Sequence, residues 1–319
     1  MCRRVLTRRV GILTCAAMAG FAVASVGGTA QATLLWYDGF ATTDGGGTYT
    51  AGSALGGQSG GAGTFFTGAW LQAGTNDHIV QSDSLQMPNP LNPSVGGSAG
   101  DTDTTTCCIT SRSGRLMTDP WAGFTNPEGT FYIGFLANYG TGPTLHHRVL
   151  EMWEGDLGDD GNRNLQLGYS EFTGIGDTLT LRVRDEFDGA EDNYVLSEDL
   201  QFAEDNGQTH FVVLRFDLTN DDKSLGGVGD RIRVYLDPVG TSEPAVASAD
   251  TGSIDFLVDT MGVITNFIFG ASTAPAFDEV RIATTFEEVA NGTVPEPTAL
   301  GLLGLGALGL SLVSRRKRG

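Results

Sequence analysis

One short stretch of the chain concentrates the oxygen-bearing side chains that bind hard metal ions. Residues 156–164 read DLGDDGNRN, with carboxylate and amide oxygens at nearly alternate positions around two glycines. Ca²⁺ takes such oxygens, but the stretch lacks the bidentate Glu at the twelfth position of an EF-hand loop. Asp, Asn and Gly also favour an ordinary turn, so a turn and a calcium site both remain open. The candidate calcium ligands are Asp156, Asp159, Asp160, Asn162 and Asn164.

Cysteine and histidine give little further chemistry. Cys107 and Cys108 are neighbours, and an adjacent pair can close only a small strained ring. Pairing within the chain, pairing between molecules and two free thiols therefore all remain open. Neither Cys has the spacing of a zinc site, and the His146–His147 pair lacks a second pair of ligands at a usual distance. We expect the two histidines to mark the junction of a loop and a strand.

The charge of the chain excludes one class of partner. The whole chain has 19 basic and 38 acidic residues, but eight of the basic ones lie before position 33 or after position 294. The segment 33–294 therefore has 11 basic against 37 acidic residues, a formal charge of −26. Binding to phosphate backbones requires a basic face, so we expect no nucleic-acid partner.

The segment 1–32 has the organisation of a secretory signal peptide. Four arginines lie between positions 3 and 9, and residues 10–26 are mostly small and apolar. Ala30 and Ala32 fit a small-x-small cleavage site, which predicts removal of residues 1–32. The sequence does not decide between general secretion and the twin-arginine route.

The segment 33–290 is predicted to be all-β. Runs of strand length, rich in β-branched and aromatic residues, alternate with Gly-, Asp- and Asn-rich turns, and 46 of the 319 residues are Gly. A stretch at 87–106 has the composition of a long surface loop, and only residues 285–289 suggest a helical turn. This pattern predicts a two-sheet antiparallel sandwich. The predicted strands are 130–137, 148–153, 164–169, 178–184, 209–218, 231–236, 263–269 and 277–283.

The stretch 291–319 has three parts. A turn formed by Pro295, Glu296 and Pro297 is followed by an apolar run at 299–313 and a basic end at 315–318. As a helix that run would measure about 22 Å, short of the ~30 Å hydrocarbon core, so it would anchor a protein only transiently. This order resembles the sorting tail of PEP-CTERM proteins. The resemblance implies an exosortase partner that cuts near the Pro-Glu-Pro turn, after export through the inner membrane, and delivery to the cell surface or extracellular matrix.

The middle of the chain carries a second resemblance. The opening Tyr37-Asp38-Gly39-Phe40, the runs at 212–218 and 231–238, and the closing FDEVRIATTFEEV at 277–289 are similar to LamG-like, concanavalin A-like jelly-roll domains. The resemblance implies that the first and last strands lie side by side. Lectins, adhesion modules and glycanases all use that fold, so the resemblance alone does not choose between them. The first function that we consider is a non-catalytic surface or matrix protein that binds carbohydrate, is adhesive or has a structural role, with extracellular polysaccharide as a partner. Among the tryptophans, Trp121 is the best candidate for a glycan contact because it lies in a polar stretch.

The alternative function is a secreted glycoside hydrolase. Laminarinase-type enzymes of this fold carry a Glu-x-Asp-x-x-Glu motif on one strand. Glu186, Asp188 and Glu191 match this motif in residue type and spacing. In those enzymes the intervening residues are bulky and apolar, whereas Asp188-Gly189 is a strong turn dipeptide between two predicted strands. We therefore expect a hairpin here rather than a β-glucan hydrolase site, and we expect no enzyme activity.

Overall fold

The structure is a computed structural model that describes fifteen parts of the chain. They all lie within one compact unit, 32–319. The described residues are 34–43, 48–74, 78–86, 96–100, 109–118, 129–138, 146–153, 157, 163–169, 179–184, 194–200, 208–219, 228–255, 260–268 and 276–291.

Within these residues the chain forms sixteen strands and one short helix. The first eight strands are β1 Leu34–Asp38, β2 Ala62–Gly63, β3 Phe66–Gly74, β4 Ile79–Gln81, β5 Ser98–Gly100, β6 Ile109–Met117, β7 Gly129–Asn138 and β8 His146–Trp153. The others are β9 Arg163–Tyr169, β10 Leu179–Arg184, β11 Tyr194–Leu200, β12 Thr209–Leu218, β13 Arg231–Leu236, β14 Ala249–Asp250, β15 Thr260–Ile268 and β16 Ala276–Ala283, followed by helix α1 Phe286–Asn291.

The strands form two antiparallel sheets. One has the order β14-β13-β12-β7-β16-β1-β2, with β5 pairing β16 and β4 pairing β5, and the other has the order β11-β10-β9-β8-β15-β6-β3. Among these strands the chain changes sheet eight times, from β2 to β3, β3 to β4, β5 to β6, β6 to β7, β7 to β8, β11 to β12, β14 to β15 and β15 to β16. These crossings make the sandwich a jelly roll and confirm the predicted class. The first and last strands are neighbours, as predicted.

The core lies between the two sheets. It forms because successive side chains of a strand point to opposite faces, so that every second side chain points inward. On β7, Phe131, Ile133 and Phe135 point inward and are buried, and Phe131 stacks on Phe216 of the paired strand β12 with ring centroids 4.6 Å apart. Leu181 and Val183 contribute from the other sheet, which confirms the alternation predicted for 178–184. Full burial of each such side chain contributes roughly 1.5–3 kcal/mol, so this core is the main source of stability.

Helix α1 covers part of the outer face of the nine-stranded sheet. Phe286, Val289 and Ala290 form a cluster with outward-facing residues of β7, β12 and β13. The helix lies close because β7 has Gly134 at the contact, where a Cβ would be 3.1 Å from the Val289 Cβ. The short helical turn predicted at 285–289 is confirmed, one residue later.

Strand β5 was not predicted from the sequence. Ser98, Ala99 and Gly100 lie within the stretch expected to be a long surface loop, yet they are buried and pair with β4 and β16. Their small side chains have low strand preference. The strand forms because its neighbours supply both hydrogen-bonding edges.

A buried polar cluster joins the two sheets through Asp38. Asp38 is on β1 of the nine-stranded sheet, and its Oδ2 accepts a 2.5 Å hydrogen bond from the Tyr49 hydroxyl. That hydroxyl in turn accepts one from Trp70 Nε1 of β3, in the seven-stranded sheet, at 2.8 Å. A guanidinium nitrogen of Arg115 on β6 lies 3.9 Å from the same Asp38 oxygen. Burial raises the pKa of Asp38 to about 6, while these hydrogen bonds and the arginine counteract part of the increase.

Arg115 is itself enclosed by neighbours. Its NH1 donates to the Gly60 carbonyl at 2.7 Å, and NH2 donates to the Gly68 carbonyl. The guanidinium carbon lies 4.6 Å from the ring centroid of Trp36 and 5.6 Å from that of Trp70. Such contacts stabilise a desolvated cation, so the arginine can stay charged between the sheets.

Asp38→Asn should change how stability depends on pH. A carboxyl whose pKa is raised on folding favours the folded state when protonated, so its contribution is present at and below pH 3.8 and is lost as the pH rises through about 6. The free energy of unfolding of the wild type, relative to Asp38→Asn, should fall by on the order of 3 kcal/mol over this window. Urea denaturation between pH 4 and 7 measures it.

Asp250→Asn is the matched control for this series. Hydrogen bonds from Arg231 hold the pKa of Asp250 below its usual value, so the wild type should gain stability over this variant as the pH rises through the acidic range. Parallel pH profiles for the wild type and Asp38→Asn would contradict the assigned role of Asp38.

Candidate functional site

Buried polar side chains lie on the face of the seven-stranded sheet that points away from the core. Leu150 and Met152 of β8 point inward, so Glu151 between them points outward. Glu151 has no exposed surface, although outward-facing residues of a sandwich usually contact solvent. Three other outward-facing polar residues of this sheet are also buried, namely Arg112, Asn164 and Gln166.

Strand register places Glu151 at the centre of a row across five strands. Gly114 of β6 pairs with Gly262 of β15, which also pairs with Glu151. Glu151 pairs with Gln166 of β9, and Gln166 pairs with Arg182 of β10. At a strand spacing of about 4.8 Å these five residues extend across about 19 Å. They are termed the outer row.

Two glycines lie beside the carboxylate in this row. Residues directly opposite each other have Cβ atoms about 5 Å apart, so Gly262 lies next to Glu151, and Gly114 lies one strand further along and is buried. Leu71 and Leu116 are next to Gly114 at the β3 edge and are 38% and 44% exposed. Apolar surface beside a few convergent polar groups is the usual chemistry of a small-molecule site. The centre of the row is buried, so the exposed apolar surface beside it is at the β3 edge.

Irregular pairing surrounds Glu151. The β8–β9 register shifts between Arg148 and Leu150 and again between Met152 and Trp153, and β15 shifts relative to β6 between Gly262 and Ile264. Such bulges increase local twist and redirect side chains, and they are frequent next to functional sites. Trp153, the next outward position on β8, is also fully buried.

A second buried polar group lies at a bulge in β16 and is satisfied by the protein itself. Asp278 accepts hydrogen bonds from the Ser84 hydroxyl at 2.6 Å, from the Leu85 amide at 3.0 Å and from the Glu279 amide at 2.7 Å. Glu279 has a φ of 55° and binds Tyr37 and Arg281. Burial, and the nearby charge of Glu279, raise the pKa of Asp278 well above its usual value. This cluster fixes the closure between β16 and the segment after β4.

Most of the site residues predicted from the sequence lie outside the described residues. They are Ala30, Ala32, Trp121, Asp156, Asp159, Asp160, Asn162, Glu186, Asp188, Glu191, Pro295, Glu296 and Pro297. Asn164 is described, and it is a buried residue of β9. The described part of the chain contains no group of three or more His, Cys, Asp or Glu side chains suited to a metal ion. Calcium binding by the 156–164 stretch stays a prediction.

Two other expectations can be compared with the structure. Strands β10 and β11 are antiparallel neighbours, with Arg184 opposite Tyr194. The connection that contains Glu186 and Glu191 therefore joins adjacent antiparallel strands, as the hairpin prediction requires. His146 and His147 are the first two residues of β8, and the residues just before them lie outside the described part, so the loop side of the predicted junction stays a prediction.

The outer row was missed by the sequence analysis. The alternation of RVLEMW and RNLQLGY was visible and assigns Glu151 and Gln166 to the outward face. What no local pattern shows is that β8 and β9 are paired in the register that places these two residues opposite each other.

The described part of the chain has no helix that is both long and apolar enough to cross a membrane. The predicted apolar helix at 299–313 lies outside it.

Comparison with solved structures gives distant likenesses of fold. One is an endo-β-1,4-glucuronan lyase from the fungus Trichoderma reesei, with 15% identity, a TM-score of 0.45 and coverage of 68% of this chain and 92% of that one. The globular domain of T. cruzi calreticulin has 11% identity, a TM-score of 0.42 and coverage of 77% and 95%. The carbohydrate recognition domain of Emp46p has 11% identity, a TM-score of 0.36 and coverage of 68% and 88%.

Comparison with curated proteins gives no match. A family model does match one segment: residues 293–318 fit the PEP-CTERM protein-sorting motif. The match lies within the tripartite stretch predicted to be a sorting signal, and it begins just after α1, which ends at Asn291. The chain thus carries a PEP-CTERM sorting motif next to a jelly-roll domain.

Proposed function

We propose that this protein is an exported, non-catalytic carbohydrate-binding protein of the cell surface or extracellular matrix. The observation that carries the proposal is the PEP-CTERM motif at 293–318, which indicates export and sorting to the cell surface or the extracellular matrix and implies processing by an exosortase. The signal peptide at 1–32 would bring the chain through the inner membrane. The apolar run at 299–313 would then hold it there until cleavage near Glu296.

Loss of the exosortase should leave the tail on the protein. In a producing strain that lacks the enzyme, the exported chain should keep residues after Pro297, while its N-terminus is still Thr33 because signal cleavage is independent. Intact-mass spectrometry of the protein from both strains makes the comparison. A normally shortened C-terminus in the deletion strain would remove the sorting part of the proposal.

The outer row supports carbohydrate binding. Sugars present hydroxyl groups together with apolar C–H faces, and the exposed side chains of Leu71 and Leu116 offer an apolar contact at the β3 end of the row. Glu151 and Gln166 lie farther along the row and are buried, so the contact with a glycan is at the β3 end.

The absence of catalysis is part of the same proposal. In the laminarinase-type pattern, alternation along one strand brings the carboxylates onto one face. Glu186, Asp188 and Glu191 lie outside the described residues, between β10 and β11 in the sequence, and Asp188-Gly189 favours a hairpin turn there. If they were catalytic, the wild type would hydrolyse β-glucan and Glu186→Gln and Glu191→Gln would abolish that activity. We expect no hydrolysis by the wild type.

Leu116→Asp should abolish glycan binding. Leu116 is 44% exposed at the entrance of the row, so a charge there blocks the apolar contact without disturbing the core. A surface change of this kind usually alters stability by no more than about 0.5 kcal/mol. The measurement is a glycan array on purified wild type and variant, with the melting temperature checked for both. Signal should fall at least ten-fold.

Val228→Asp is the matched control, because Val228 is 69% exposed and lies just before β13 of the other sheet. It should bind as the wild type does. Leu71→Asp should weaken binding as Leu116→Asp does, because Leu71 is the second exposed residue at the β3 end of the row. Unchanged binding by both row variants would place the site elsewhere.

Trp121→Ala tests the glycan contact predicted from the sequence. It should weaken binding and leave the free energy of unfolding nearly unchanged. Trp70→Ala is the contrast, because Trp70 is 2% exposed and its indole donates to Tyr49, so its loss should cost about 3–5 kcal/mol. If urea denaturation gave Trp121→Ala a loss of stability similar to that of Trp70→Ala, Trp121 would be a core residue.

A further inference from the structure

Three donor side chains on the outer face of the nine-stranded sheet converge on one carboxylate. Tyr132 of β7, Arg215 of β12 and Tyr235 of β13 are on adjacent strands, and Arg215 pairs directly with Tyr132. The Tyr132 hydroxyl donates to Glu243 Oε2 at 2.7 Å, and the Tyr235 hydroxyl donates to Oε1. Arg215 NH1 lies 2.7 and 2.9 Å from the two oxygens. Each carboxylate oxygen thus receives one tyrosine and one arginine bond.

The donors are held in place without Glu243. Phe286 of α1 packs edge-on against both tyrosine rings, with centroids 6.0 Å from Tyr132 and 5.6 Å from Tyr235. Arg215 is fixed by Asp217, whose Oδ1 lies 2.8 Å from Nε and 2.7 Å from NH2. Its guanidinium carbon also lies 5.7 Å from the centroid of the Tyr132 ring. A site organised before its occupant arrives binds with less loss of conformational freedom.

The occupant belongs to a surface loop between β13 and β14. The loop is fastened at one end by Asp237, which accepts the Phe211 amide at 2.8 Å, and at the other by Ser248, whose amide donates to Val234. Between these ends Val239 and Val246 are 84% and 81% exposed. Glu243 lies midway along this segment with its side chain 25% exposed, and Ala247 of the same segment packs against the α1 cluster. Because Glu243 lies outside the strands, its release would not require a strand to unpair.

The charge around this site differs from that of the rest of the chain. Three of the 11 basic residues of segment 33–294, Arg215, Arg231 and Arg233, lie together here and pair with Asp217 and Asp250. With Glu243 in place the six groups are neutral, and without it they carry a net charge of +1. A domain of formal charge −26 therefore keeps one local place where an anion would be attracted.

We propose that Tyr132, Arg215 and Tyr235 form a binding site for the carboxylate of an acidic sugar, such as a uronate residue of an extracellular polysaccharide, and that Glu243 is its internal competitor. Two hydroxyl donors and one guanidinium acting on two oxygens match a planar carboxylate. The site is on the opposite sheet from the outer row, so it adds to the proposed function and does not depend on it. Because Glu243 must leave first, only molecules with the loop open can bind. The apparent affinity of the wild type is therefore the affinity of the open site multiplied by the fraction of molecules in which the loop is open.

Removal of Glu243 tests the site. The probe is sodium glucuronate, titrated into the purified full-length protein by calorimetry, with glucose and with sodium chloride of equal ionic strength as ligand controls. Glu243→Ala should bind glucuronate saturably and at least ten-fold more tightly than the wild type, and should bind neither control. Its melting temperature should rise with glucuronate more than with chloride.

Two double variants locate the binding. Glu243→Ala with Arg215→Gln should lose it, whereas Glu243→Ala with Arg148→Gln should keep it, because Arg215 is the arginine that contacts Glu243 and Arg148 is on β8 of the other sheet. If the Arg215 variant does not fold, Tyr132→Phe in the Glu243→Ala background removes one donor and should weaken binding. The proposal is overturned if Glu243→Ala shows no saturable glucuronate binding, or if the loss of Arg215 or the Tyr132 hydroxyl leaves that binding intact. Leu116→Asp should not affect it, which separates this site from the outer row.

Discussion

The buried contact between Asp38 and its partners is the constraint on which the arrangement of the two sheets depends. A carboxylate between two sheets is costly unless it is paired and hydrogen-bonded, so β1 must bring Asp38 to where Tyr49 and Arg115 can reach it. The Gly-rich segment before β3 makes this possible. A Cβ at Gly60 would lie 1.9 Å from the Tyr49 ring, and one at Gly61 would lie 2.8 Å from Asp38 Oδ2. These glycines allow backbone to pack against the cluster.

The sequence predicted most of the fold but not this contact. Alternation gave the strands of the core, and the pairing of β1 with β16 followed from the jelly-roll resemblance. Asp38 stands in YDGF and Arg115 in SGRLM, and both local patterns are equally compatible with exposed positions. Only tertiary pairing shows that the two residues face each other. For the same reason Ser98–Gly100 was expected to be loop, because strand β5 is formed by its neighbours and not by its own preference.

The candidate sites also differ in whether the sequence could predict them. The sorting motif was predictable because its residues are consecutive in the sequence, at 293–318. The outer row and the Glu243 site are assembled from strands that are far apart in the chain, such as β8 with β15 and β7 with β12. Single-sequence reasoning can place Glu151 or Tyr132 on a face of a strand. It cannot supply the strand order that brings Gly262 beside Glu151, or Arg215 beside Tyr132.

The position of α1 gives the two outer faces different surroundings. The helix packs on the nine-stranded sheet and ends at Asn291, and the sorting motif begins at 293. The last described residue, Asn291, is thus on the side of the sandwich that also carries the Glu243 loop. The outer row belongs to the other sheet, and the outer faces of a sandwich point in opposite directions. The two candidate sites are therefore separated by the thickness of the sandwich, so α1 covers part of the face with the Glu243 loop and none of the face with the outer row.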